Sequence, residues 1–180
     1  CIGTGHHNTH RLAVAPTRSN SVIAGDVSKG IEPEDGNAYV ENAAKGSFDK
    51  RNPYLEKILE DMGKNTPEVW ASIVEHHGSI QHIEFLDGHT KDVFRTAYEI
   101  NQFAIIKQAA QRQRYIDQGQ SVNLFFPEDA DPTYIMQVHL AAHLQGLKSL
   151  YYCKTKSIAK GDLGSREYKR EYTECASCEG

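Results

Sequence analysis

The chain has 180 residues and sets 20 Lys and Arg against 24 Asp and Glu, a formal net charge of −4. With 39% hydrophobic residues and a mean hydropathy of −0.58 it can fill one modest core, as a single domain or as one piece of a larger one. No run reaches the ~18 apolar residues of a membrane span, and the mild acidity without a Lys/Arg stripe argues against a nucleic-acid partner.

Taken in chain order, Arg11-Leu-Ala-Val-Ala15 reads as a short buried strand closed by Pro16. The hydroxyl-rich turn Thr17-Arg18-Ser19-Asn20-Ser21 opens a short helix ending near Gly25. Residues 26–52 hold several Gly and Pro residues and little periodicity, which predicts a long surface connection. Asn52, Pro53 and Gly63 punctuate one helix, and Thr66, Pro67 and Gly78 a second. A longer helix is expected from about Lys91 to Tyr115, with Val93, Ala97, Ile100 and Ala104 forming one buried stripe. Ser121-Val-Asn-Leu-Phe-Phe126 reads as another buried strand, stopped by Pro127. Asp131-Pro132 starts a helix that reaches Gly146, and residues 147–155 read as a further strand. Strand, helix and strand in this order predict an α/β layer with parallel strands.

Residues 156–180 change character. Five basic residues (156, 160, 166, 169, 170) alternate with five acidic ones (162, 167, 171, 174, 179), and only Ile158 and Leu163 are aliphatic anchors. Such a segment buries too little to offset its ordering entropy, so a flexible tail is expected.

Four local features can carry chemistry. Cys175 and Cys178 are spaced to close a small disulfide ring and exchange it; the same pair can be half of a zinc site, or a terminus without a role. The Pro16–Ser21 turn offers hydroxyls and helix-start N–H groups to an anion, although most such turns are merely caps. Tyr151 and Tyr152 are packing residues or, because a phenol can lose an electron and a proton together, a redox pair. Strict strand alternation would send their rings to opposite faces, so a close stack needs a local departure from it. His139 and His143 share a helix face as a metal pair would, but no Glu follows His139 and no acidic residue lies nearby. Four cysteines, at 1, 153, 175 and 178, are too few for a secreted disulfide scaffold, and without a signal peptide a reducing cytoplasm is the expected compartment.

Together and in this order, several motifs resemble the C-terminal part of the large (α) subunit of class I ribonucleotide reductase. They are His10-Arg-Leu-Ala-Val-Ala-Pro-Thr17 with Ser19 and Ser21, Gly30-Ile-Glu-Pro33, and Phe94-Arg-Thr-Ala-Tyr-Glu-Ile-Asn-Gln102. Ile116-Asp-Gln-Gly-Gln-Ser-Val-Asn-Leu124, Gly146-Leu-Lys-Ser-Leu-Tyr-Tyr152 and the Cys175/Cys178 pair complete the set.

The resemblance implies the final strands and helices of a ten-stranded α/β barrel over residues 1–155, followed by a redox-active tail over 156–180. It implies that Pro16, Thr17, Arg18, Ser19 and Asn20 hold the phosphates of a ribonucleoside diphosphate. Arg18 departs from the small or acidic residue common there. By the same resemblance Tyr152 is the outer and Tyr151 the inner step of a radical relay. Cys175 and Cys178 would re-reduce the active site and be renewed by thioredoxin or glutaredoxin. The radical would come from a metal-containing β subunit, with no cofactor or metal bound by this segment. The radical-bearing cysteine and the reducing pair lie upstream in the family, so the expected partner is an N-terminal part of the same subunit. The rival reading is a non-catalytic metal- or phosphate-binding module. Cys1 in place of Met is expected to mark a cut: the residue after an intein splice point, a gene split or a cloning boundary.

Overall fold

The computed structural model describes residues 5, 8–25, 29–43 and 46–155. Their elements are α1 (Arg18–Ile23), β1 (Ala38–Ala43), β2 (Gly46–Arg51), α2 (Pro53–Asp61), α3 (Pro67–Glu75), α4 (Gly88–Val93), a 3-10 turn (Ala97–Glu99), α5 (Gln102–Gln113), β3 (Leu124–Phe126), α6 (Pro132–Leu144) and β4 (Cys153–Thr155). They divide into two units. One holds the residues up to Pro33 together with Ile100–Thr155, the other Glu34–Glu99. Among the described residues no helix is long and apolar enough to cross a membrane.

In the Glu34–Glu99 unit, α2 and α3 start where their punctuation predicts. The Asn52 side chain accepts from the N–H groups of Tyr54 and Leu55, and Pro stands at the first turn of both helices. Leu55 and Leu59 of α2 and Trp70 and Ile73 of α3 meet Ile80, Ile83 and Leu86 in one apolar cluster. Each such side chain contributes about 1.5–3 kcal/mol by leaving water.

The stretch expected to be a surface connection instead contains a hairpin. β1 and β2 pair antiparallel from Ala38 opposite Arg51 to Ala43 opposite Gly46. A buried amide, invisible to periodicity, fixes the hairpin's base. Asn37 Nδ2 donates to the carbonyls of Gly78 (3.0 Å) and Phe94 (2.8 Å), and Asn52 Nδ2 donates to Asn37 Oδ1 (3.1 Å). Gly78 has φ +80°, and a Cβ there would stand 2.5 Å from the Gly36 Cα, so this crossing needs glycine on conformational and steric grounds alike.

The single long helix expected over 91–115 is three pieces. Asp87 caps α4 by accepting from Thr90 N, and Asn101 caps α5 by accepting from Phe103 N. Between them the Glu99 carboxylate accepts from Thr96 N (2.7 Å), Thr96 Oγ1 (3.0 Å) and Ser79 Oγ (2.5 Å), bonds that a continuous helix could not make. The expected stripe dissolves accordingly: Val93 is 60% exposed and Ala104 is exposed, whereas Ala97 is buried.

In the other unit, β3 and β4 pair parallel across α6, with Leu124 opposite Cys153 and Phe126 opposite Thr155. This is the predicted strand–helix–strand order. Asp131 caps α6 and Gly146, at φ +81°, ends it. Ile105, Ile106 and Ala109 of α5 pack with Val122, Leu124, Phe126, Val138 and Ala142. Residues 11–15 do pair, by a parallel bridge from Val14 to Gln120, but they are not a buried strand. Val14 is half-buried and its neighbours are exposed, because among the described residues only one strand flanks them.

Asn37→Ala should lower the urea midpoint by an amount worth about 1–3 kcal/mol without changing the slope, since it leaves buried carbonyls short of donors. Glu56→Gln, which breaks only the exposed 3.8 Å pair with Arg51, should leave the midpoint within about 0.5 kcal/mol.

Candidate functional site

Residues 119–126, which end in β3, form the middle segment between residues 11–15 and β4, and its backbone groups divide between those two neighbours. The odd-numbered groups serve the 11–15 side: Ser121 N donates to Val14 O (2.8 Å), and Val14 N donates to Gly119 O (3.4 Å). Val122 O and Leu124 N serve the β4 side, Tyr151 N donating to Val122 O (2.8 Å) and Leu124 N to Tyr152 O (2.9 Å), while Val122 N turns back to Gln120 O (3.0 Å). Asp117 ties down the start of the first segment, its carboxylate accepting from the N–H groups of Arg11 and Leu12. Those two bonds hold its pKa below the usual carboxylate value.

The ladder slips by one residue at the tyrosines. With Leu124 opposite Cys153, a regular parallel ladder would deliver the Tyr152 N–H to Val122 O. Tyr151 N occupies that carbonyl instead. The Tyr152 N–H turns to the side chain of Asn123, 3.3 Å from Oδ1, a long hydrogen bond. One extra residue in a strand is a bulge, and a bulge re-aims side chains. The two rings therefore do not point to opposite faces. Their centroids are 4.1 Å apart with planes inclined at 55°. Tyr151 is 47% and Tyr152 56% exposed. The hydrogen bond between the phenols, then the charge Tyr152 would carry, raise the pKa of Tyr151 above the ordinary 10.0.

The turn at Pro16–Asn20 is the second candidate. Thr17 stands at the N-terminus of α1, its side chain makes no capping bond, and the first turn contains no acidic residue. The N–H groups of residues 18–20 lie in the first turn, where no upstream carbonyl of the helix serves them. Ser19 and Asn20 are exposed, while Ser21 is buried. The segments leading to the two candidates bond one stretch of chain: Val14 is level with Gln120, and the Val122 carbonyl takes Tyr151 N.

Cys175 and Cys178 lie outside the described residues, as does the rest of the 156–180 tail. Among the described residues no group of three or more His, Cys, Asp and Glu could hold a metal. His139 is exposed, with Nδ1 2.8 Å from Ile135 O and its ring stacked on Phe126. Cys153 is an exposed free cysteine whose thiol pKa is raised by partial burial.

The family described as ribonucleotide reductase, barrel domain, matches residues 2–153 of this sequence. The chain belongs to that family. The ribonucleoside-diphosphate reductase large subunit of Invertebrate iridescent virus 6 is 44% identical over 164 residues, which are 89% of this chain and 17% of that one. The corresponding large subunit of Invertebrate iridescent virus 3 is 39% identical over 188 residues, covering 100% of this chain and 30% of its own. A solved structure, the alpha subunit of the Actinobacillus ureae class Id ribonucleotide reductase, matches with TM-score 0.75 and 41% identity over 89% of this chain and 29% of that chain. The chain spans less than a third of the length of these relatives. Its parallel β3–α6–β4 unit is accordingly C-terminal barrel structure of the ribonucleotide reductase fold.

Sequence reasoning missed the polar groups that set this ribonucleotide reductase segment in register. Gln120 is buried and donates to Ala109 O (2.8 Å) and Gln113 Oε1 (3.1 Å), while Gln102 Oε1 accepts from Phe125 N (2.9 Å). The signal was present as lone amides inside apolar runs: Gln120 and Asn123 before and within Val122–Phe126, and Gln102 at the start of α5.

Tyr152→Phe should bring the Tyr151 pKa back toward 10.0. The raised value keeps the Tyr151 phenol protonated to higher pH, and the substitution removes both leading causes. In a difference titration of phenolate absorbance, the single remaining ring of the pair should ionise at lower pH than in the parent.

Proposed function

We propose that this chain is the C-terminal segment of a ribonucleoside-diphosphate reductase large subunit and that Tyr152 and Tyr151 conduct a radical through it. The observation that carries this reading is the pair of half-exposed phenols with centroids 4.1 Å apart. Packing alone gives a weak account of them, because rings that stay about half in water gain little from burial.

In the transfer step a Tyr152 phenoxyl takes an electron and a proton from Tyr151. Tyr152 regains its O–H and Tyr151 becomes the radical, which then takes a hydrogen atom from a cysteine on the N-terminal part of the subunit. Across the whole reaction the ribose 2′-hydroxyl leaves as water and hydrogen replaces it. Two thiols supply two electrons and two protons and become a disulfide. The metal-containing β subunit generates the initial radical.

Pro16, Thr17, Arg18, Ser19 and Asn20 would receive the substrate diphosphate. Unserved first-turn N–H groups, free hydroxyls and the absence of a first-turn acid suit an anion. Cys175 and Cys178 would exchange with the active-site disulfide and be renewed by thioredoxin or glutaredoxin in a reducing cytoplasm. The alternative, a non-catalytic metal- or phosphate-binding module, gains no support from His139, which is exposed with Nδ1 turned to Ile135 O. Stoichiometric zinc with protected thiols would favour it; titratable thiols without metal would favour the reductase.

Two substitutions test the reading in the complete subunit, assembled with the N-terminal part, the β subunit and a reductant. Tyr151→Phe keeps the ring and removes the O–H, so deoxynucleotide formation should fall to background while assembly is retained. Normal turnover in that variant overturns the relay. Cys178→Ser should allow one turnover and block further ones with thioredoxin, and a small dithiol that enters the site directly should restore them.

A further inference from the structure

We propose that Asn123 is the positioning residue of the phenol pair, its carboxamide oxygen taking the Tyr152 N–H that the one-residue slip withdraws from the ladder. The inference deepens the relay reading above and rests on it.

The slip has two parts. Tyr151 N takes Val122 O, the acceptor that a regular ladder reserves for Tyr152 N. Tyr152 N is then left beside Asn123, the residue between the two ladder positions Val122 and Leu124, and bonds Oδ1 at 3.3 Å. Leu124 N still reaches Tyr152 O at 2.9 Å, so the regular ladder resumes at once. Tyr152 is thus bonded to the middle strand through both its N–H and its C=O, one residue out of step with Tyr151.

Asn123 is itself held. Its backbone N–H, on the odd-numbered edge beyond the end of the 11–15 pairing, donates to Glu32 Oε1 at 2.5 Å. The Glu32 carboxylate lies beside Gly30, where a Cβ would stand 2.5 Å from Glu32 Oε2. Glu32 therefore holds the backbone at Asn123 on one side while the Asn123 side chain works on the other. An aliphatic residue of similar size at 123 would fill the space but offer no acceptor. Tyr152 N would then compete for Val122 O, and regular pleating would part the rings.

The test uses the complete subunit with its β partner. Asn123→Leu should lower the single-turnover rate of deoxynucleotide formation by about tenfold to a hundredfold, the scale of a small misplacement, with KM and β-subunit affinity unchanged. It should also speed amide hydrogen exchange at Tyr152, and Asn123→Ala, which only truncates the side chain, carries the same expectation. Asn123→Asp keeps an oxygen acceptor and should recover most of the rate and the protection. Parental rate with parental exchange in Asn123→Leu overturns the proposal, and so does a rate loss with Tyr152 exchange unchanged. If Tyr151→Phe turns over normally the relay reading fails instead, and exchange at Tyr152 still reports whether Asn123 holds that N–H.

Discussion

A parallel ladder that gains one residue has one N–H too many, and in this ribonucleotide reductase segment that group belongs to Tyr152. Leaving it unserved costs free energy on the scale of a lost hydrogen bond, about 1 kcal/mol. The shifted ladder offers that group an acceptor other than a strand carbonyl. Asn123 supplies one at 3.3 Å. The closeness of two phenols that ordinary pleating would separate follows from this local rearrangement of bonds. The raised pKa of Tyr151 follows in turn, since it arises first from the neighbouring phenol.

The middle strand connects the remaining features. Its two edges carry the segment leading into the Pro16–Asn20 turn and the one leading into β4, so one backbone supports both. Its inner face is apolar and held to α5 and α6 through Val122, Leu124 and Phe126. The phenols themselves remain half-exposed at the rim. The division of labour is physical: burial fixes the strand, and the strand presents groups that gain little from burial.

Much of this arrangement could be read from residues, and what escaped has identifiable causes. Helix starts were legible because Asn52, Asp131 and the prolines that follow act through local geometry alone. The parallel pairing of β3 with β4 was legible because an apolar run, a capped helix and a second run leave few other topologies. The β1–β2 hairpin was hidden because it depends on Asn37 reaching Gly78 and Phe94, partners 41 and 57 residues away. The continuous helix over 91–115 failed for a similar reason: Glu99 bonds Ser79 as well as Thr96, and no periodicity registers a tertiary partner. That closely placed tyrosine rings would need irregular backbone was legible from strand geometry. The slip and its acceptor were not, because both depend on which carbonyl Tyr151 takes.

The buried amides of Gln102 and Gln120 have a consequence for fidelity. An apolar strand that slides by two residues keeps the same side chains inward, so packing against α5 discriminates poorly between the correct alignment and that near miss. A carboxamide bonded to one particular main-chain group does discriminate. Displacing the strand would part Gln102 from Phe125 N and Gln120 from Ala109 O, at a cost of about 1–3 kcal/mol for each buried group left unmatched. Two glutamines thereby act as indexing pins, and the barrel wall is assembled with its phenols at the intended level rather than one notch away.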